Sequence, residues 1–184
     1  EKELLVKQKA IELLGRDGFE GFSVNKLAKA CTISVATIYI YYKDKDDLIV
    51  TIAQEEAKKM ALVMVRGLNA GHSFYDGLRL QWKNRYDYLM GNPSLGLFFD
   101  QLRSSTYQQQ FTTSLMSSFE STIKKFMQRA EERGELVPMP LEVFWSIAFA
   151  PLYSLIRFHH EGKYPDGRPF KMTETLLWQS FDLV

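Results

Sequence analysis

Apolar residues recur every three or four positions along almost the whole chain, with polar residues between them. That period belongs to amphipathic helices. Residues 3–17 carry Leu5, Val6, Ala10, Leu13 and Leu14 near helical spacing, and Gly15 and Gly18 bracket the end of the run. Residues 24–30 predict a short second helix. Ser23 is placed to cap it, because a serine hydroxyl accepts one of the free N–H groups at a helix start. Cys31-Thr32-Ile33-Ser34 joins it to a third helix over 35–42, which Ser34 can cap in the same way. A fourth helix, capped by Asp44, runs to about residue 67 through Leu48, Ile52, Ala53, Ala57, Met60 and Met64.

The pattern breaks at 69–72, a candidate joint between domains. Helices are predicted again over 74–90, where Gly91-Asn92-Pro93 ends the run, then over 95–104 and over 107–133. Residues 141–160 are apolar nearly all round, and Pro151 inside them predicts a kink. A loop over 161–169 leads to a last helix over 171–184. There is no strand run, repeat or low-complexity tract, so the expected fold is all-α.

Two helices joined by a turn of three or four residues make a helix-turn-helix. The second helix of such a pair enters the major groove of DNA while its flanks hold phosphates. Here Ile38 and Tyr42 are four residues apart and share a face, which with Ile33 can pack onto Leu27. Val35, Ala36, Thr37, Tyr39, Ile40 and Tyr41 are left pointing outward. So much exposed apolar surface on a short helix is a liability unless something covers it. Thr37, the tyrosine hydroxyls and Lys45 suit phosphate oxygens.

This segment resembles the TetR family of bacterial transcriptional regulators. The shared pattern stands as Thr32-Ile33-Ser34, then Thr37-Ile38-Tyr39-Ile40-Tyr41-Tyr42, then Lys45 and Leu48. It departs from the family at Thr32 and Ala36, where glycine is common, and Thr32 sits where the turn favours φ > 0. The resemblance implies that Thr37, Tyr41 and Lys45 contact phosphates. It implies that Val35, Ala36 and Tyr39 face bases, and that Val24 and Asn25 approach the groove edge. It further implies a three-helix DNA-binding domain over 1–47 and a helical ligand-binding and dimerisation domain over 48–184.

The residues add a preference of their own. The outward face of the third helix has no Arg, Lys, Gln or Asn, so it cannot make bidentate contacts to guanine. Val35, Ala36 and Ile40 can touch thymine methyls, and the predicted half-site core is rich in A and T. Asn25 either pairs with an adenine edge or simply bonds to backbone.

Composition changes the picture little. The net charge of +1 favours neither nucleic acid nor its absence. Between Ser23 and Lys45, four lysines stand against Asp44, a local surplus of three positive charges. The single cysteine, Cys31, reads as a small buried hydrophobe in a reducing compartment. The amphipathic, charged start of the chain does not read as a signal peptide. No apolar stretch reaches the roughly 18 residues a bilayer span takes. The expected setting is the bacterial cytoplasm, at the nucleoid, with no membrane partner.

The remaining chain is rich in aromatics, which either line an apolar cavity or fill an ordinary core. The family resemblance favours an effector pocket, with Trp82, Tyr86, Phe98, Arg103 and Phe149 as candidate lining residues. Arg103 would meet an anionic ligand group or sit at the surface in an ion pair. His159 and His160 point about 100° apart on a helix and do not readily chelate one ion. No metal site, cofactor motif, activated nucleophile or carboxylate pair is evident, so an enzyme built on a helical bundle is the weaker reading. The residues over 141–160 must be covered on every face. The resemblance assigns that cover to a twin subunit, with 141–160 and 171–184 forming a homodimer interface. The expected function is a homodimeric repressor that binds a palindromic DNA operator and is released by a small apolar or amphipathic effector. An effector-independent DNA-binding protein and an activator are the alternatives.

Overall fold

Val6, Ala10, Leu13 and Leu14 are all buried, and they are the stripe that makes α1 (Lys2–Gly21) an amphipathic helix. The helix outruns its expected end because it turns sharply at Gly18, whose φ of 69° suits a residue without a side chain. The computed structural model describes residues 1–69 and 71–184. Among these, the remaining helices are α2 (Val24–Cys31), α3 (Val35–Tyr39), α4 (Lys45–Met64), α5 (Phe74–Met90) and α6 (Pro93–Arg103). They continue with α7 (Gln108–Glu132), α8 (Leu141–Ala148), α9 (Ala150–Glu161) and α10 (Glu174–Phe181). The described residues contain no strand, only an isolated bridge between Lys163 and Pro169. The expected joint at 69–72 includes residue 70, which lies outside the described residues.

The chain divides into two compact units. The first comprises Glu1–Lys59 and Asn92–Ser117. Within it α6 packs directly on α1, and the closest approach is at Gly15. A Cβ there would stand 2.9 Å from the Ser94 carbonyl oxygen and 3.1 Å from the Phe98 amide nitrogen. Phe98, Phe99 and Leu102 of α6 are buried, and the Phe111 ring packs tilted against Phe99 with centroids 5.1 Å apart.

The second unit comprises Met60–Gly91 and Ser118–Val184, and α9 packs against α5, α8 and α10. The helix expected over 141–160 is two helices, bent by 42° at Phe149. Pro151 explains the break: it donates no N–H and its ring crowds the preceding turn. The break leaves the Ala148 carbonyl at a helix end, where the Trp82 indole N–H donates to it at 2.7 Å. The last helix starts at Glu174, three residues later than expected, because Thr173 caps it by accepting the Leu176 N–H at 3.2 Å. Among the described residues no single helix is long and apolar enough to cross a membrane.

Candidate nucleic-acid interface and effector site

The helix-turn-helix is held from inside. Leu27, Ile38 and Tyr42 are buried and lock α3 onto α2. Thr32 ends α2 in the left-handed region, at φ 55° and ψ 42°. Its N–H returns to the Lys29 carbonyl and that of Ile33 to the Ala28 carbonyl, each at 3.1 Å. This is the conformation helices favour at their C-terminal ends, here adopted by a β-branched residue. Ser34 then caps α3, accepting the Thr37 N–H at 3.2 Å, and its hydroxyl also meets the Thr37 hydroxyl at 2.9 Å. Regular helix ends at Tyr39, earlier than the expected 42, and the chain continues as a turn in which the Tyr41 and Tyr42 N–H groups both reach the Ile38 carbonyl.

Geometry sorts the candidate DNA-contacting residues. Asn25, Ala36, Tyr39, Ile40 and Tyr41 are exposed, while Val24, Val35, Thr37 and Lys45 are half-buried. Ile40 is 76% exposed. Lys45 has a second task that the sequence did not reveal. Its ammonium donates to the Phe19 and Phe22 carbonyls at 3.3 and 3.1 Å and lies 5.6 Å from the centre of the Phe22 ring. A cation there satisfies carbonyls freed at the end of α1 and ties α4 to it. The start of α4 is closed by Asp44, which accepts the Asp47 N–H, and by Asp47, which accepts the Lys43 N–H, both at 2.8 Å. This is a close relative of the capping box. The Tyr42 hydroxyl is buried without a hydrogen-bond partner, and burial pushes its pKa up to about 12.

In the second unit a different cluster stands out. Arg85 on α5 is 1% exposed and Gln81, one turn earlier, is 0% exposed. The guanidinium donates through Nε to the Tyr153 hydroxyl at 3.2 Å and through Nη1 to the Gln81 backbone carbonyl at 3.1 Å. Its Cζ lies 3.7 Å from the centre of the Phe149 ring and 5.1 Å from that of Trp145. Among the described residues Nη2 has no partner, nor has either polar atom of the Gln81 side chain. Burial lowers the Arg85 pKa, opposed by Tyr153, and among the described residues no carboxylate contributes. A buried cation is ordinarily paired with an anion. The sequence held no local signal for this site, because the aromatic walls come from α8 and α9.

The five residues read as pocket candidates fall in two different units. Trp82, Tyr86 and Phe149 belong to the second, while Phe98 and Arg103 belong to the first. Phe149 touches Arg85, and Trp82 is fully buried against the Phe181 ring. Tyr86 is half-buried. Arg103 is an exposed residue that donates to Asp100 at 2.8 Å. His159 accepts the Met172 N–H at 3.1 Å, so it serves the loop before α10.

A compact helix-turn-helix with an outward apolar and tyrosine face defines a DNA-binding protein. Residues 8–52, the segment that carries the helix-turn-helix, match the sequence model of the bacterial regulatory proteins of the tetR family. An uncharacterised HTH-type transcriptional regulator of Haemophilus influenzae is 30% identical over 83 residues, 45% of this chain and 44% of that protein. The chain thus matches less than half the length of that relative. The fatty acid metabolism regulator protein of Bacillus subtilis is 20% identical over 137 residues, 73% of this chain and 71% of that one. The fold is shared with solved structures along nearly the whole chain. A TetR-family regulator from Marinobacter aquaeolei superposes with a TM-score of 0.83 at 21% identity, covering 98% of this chain and 92% of its own. The regulator FadR of Bacillus subtilis, solved in complex with stearoyl-CoA, gives 0.77 at 18% identity, covering 98% and 96%. These proteins are regulators by name.

Proposed function

We propose that the protein is a homodimeric, ligand-responsive repressor that binds a palindromic operator in the bacterial cytoplasm. The observation that carries this reading is the exposed face of residues 35–41, apolar and tyrosine-rich, on a helix held rigidly at both ends. Residues 1–47 read the DNA and residues 48–184 bind effector and partner. Thr37, Tyr41 and Lys45 hold phosphates, Val35, Ala36, Tyr39 and Ile40 meet bases, and Val24 and Asn25 stand at the groove edge. The twin subunit covers the outer side of α8 and α9, where Val143 is 44% and Ile147 54% exposed and Ala150, Pro151 and Ser154 are exposed beyond them. Exposed apolar side chains at the centre of such a face favour α8 and α9 as the interface over a merely solvated surface.

The two reading helices of the dimer then sit about 34–36 Å apart on one face of the duplex. A ligand that binds better to another spacing lowers DNA affinity by linkage. α4 is the lever, because it starts at Lys45 and its last residues belong to the second unit. The stearoyl-CoA carried by the FadR relative supports an amphipathic effector with an acyl or similarly apolar body.

The test is fluorescence anisotropy with DNA from the protein's own upstream region, across a salt series. The expected result is tight binding to a short palindrome that weakens as salt rises. Tyr41→Ala should weaken it further, with the fold intact by circular dichroism. Binding no tighter than to random DNA, unchanged by Tyr41→Ala, would overturn the reading.

A further inference from the structure

We infer that the interior pair Arg85 and Gln81 is a receptor for the carboxylate of an amphipathic carboxylic acid, so that the effector is recognised as a free acid. This deepens the proposed regulatory function and rests on it for its biological meaning. Both side chains lie on α5 four residues apart, and therefore on one face of the helix. Both are essentially without solvent contact. Arginine keeps its proton under all ordinary conditions, so the interior holds a full positive charge. Its contacts are the Tyr153 hydroxyl, the Gln81 backbone carbonyl and two aromatic faces, and among the described residues no carboxylate is paired with it. A sequence could remove this cost by placing methionine or leucine here, and buried charges replaced by apolar residues are often neutral or stabilising. A charge kept in such a place suits a site completed by a ligand.

The unused groups specify the ligand's chemistry. Arg85 Nη2 and Gln81 Nε2 are donors without acceptors. They match an anion with two oxygens, and the single charge of Arg85 matches a monoanion. A phosphate monoester would bring more charge than the site neutralises. An alcohol or a thioester would leave the cation unpaired. Phe149 and Trp145, against the guanidinium, and Phe119, stacked on Trp145 with centroids 5.6 Å apart, supply apolar and aromatic surface for the body of the acid. The predicted effector is thus an anionic head on an apolar body, taken from the class of fatty or aryl-alkyl carboxylic acids. It differs from a coenzyme A thioester, in which the carboxyl charge is lost.

The experiment uses the full chain and four probes: decanoate, 4-phenylbutyrate, decan-1-ol and decanoyl-CoA. Binding is read by calorimetry and by the shift in thermal midpoint, on wild type, Arg85→Met and Gln81→Leu. Wild type should bind at least one of the two carboxylates about tenfold or more tightly than decan-1-ol. Arg85→Met should fold with an unchanged or raised midpoint and lose that preference, and Gln81→Leu should reduce it. Equal affinity for acid and alcohol, tighter binding of decanoyl-CoA than of decanoate, no binding of either acid, or a preference that survives Arg85→Met would each overturn the inference. Should Arg85→Met fail to fold, Gln81→Leu carries the same comparison. Anisotropy on operator DNA separates the two readings. Operator binding without acid recognition leaves the regulator standing and removes the carboxylate site. Acid binding that Arg85→Met abolishes, in a protein indifferent to operator DNA, leaves the site standing and removes the regulator.

Discussion

The Tyr107 hydroxyl donates to the Asp46 carboxylate at 2.5 Å, joining the segment after α6 to the first turn of α4, one residue from Lys45. Tyr107 also packs its ring on Phe19, with centroids 5.1 Å apart. The reading unit is therefore clamped from both sides of Lys45: by Asp46 to Tyr107, and by the ammonium to the end of α1. Burial first, and then the bond to Asp46, push the Tyr107 pKa up to about 12. Burial does the same for Tyr42.

An alkaline titration tests this. An ordinary tyrosine ionises near pH 10. Between about pH 10 and 12 the unfolded chain therefore releases these two protons while the folded chain retains them, and stability falls as pH rises. Denaturant unfolding across that window should show the loss, and Tyr107→Phe should flatten part of the slope. Absorbance of the folded protein should show Tyr42 and Tyr107 ionising above the ordinary tyrosine range. A single cluster of tyrosines titrating near pH 10 would contradict the geometry.

Thr32 adopts a left-handed conformation that glycine takes freely. The strain on an ordinary L-residue is roughly 1–2 kcal/mol, and glycine's extra chain entropy returns roughly 0.5–1 kcal/mol of it. Thr32→Gly should thus stabilise the protein by up to about 1.5 kcal/mol. Thr32→Ala, which keeps the Cβ, should gain nothing. Urea midpoints on the two variants decide between strain and a useful threonine side chain.

Gly15 lies where α1 meets α6 through backbone atoms that cannot swing aside. Gly15→Val should lower stability by about 1–3 kcal/mol, the usual cost of overpacking. A wild-type thermal midpoint in this variant would show that the two helices do not pack this closely in solution.

Asn25 is exposed in the first turn of α2. If it pairs with an adenine edge, Asn25→Ala should cost about 1–3 kcal/mol at one base pair and relax specificity there alone. Selection of binding sites from random DNA checks this together with the A- and T-rich core. Two invariant guanines under α3 would refute the expected readout, because that face offers no side chain that bonds guanine bidentately.

The local signals were strong at the reader. Ser23, Ser34 and Thr32 lie within a few residues of the groups they cap, so chain order alone brings them together. α3 ended early because residues 40–42 are turned by bonds to Ile38, a choice between helix and turn that periodicity does not resolve. The break at Phe149 was legible from Pro151, and the late start of α10 lay in the cap at Thr173.

What the sequence alone determined is the all-helical class, the approximate course of most helices and the caps at Ser23, Ser34 and Asp44, because these follow from contacts among residues three or four apart. The tertiary structure alone decided three further things. α6 joins the first unit by backbone contact at Gly15. Lys45 serves the end of α1. Arg85 is a buried cation, walled by aromatics more than fifty residues away in the chain. Burial is the sum of neighbours brought in by packing, and a charged residue on a helix carries no mark of it until those neighbours are in place.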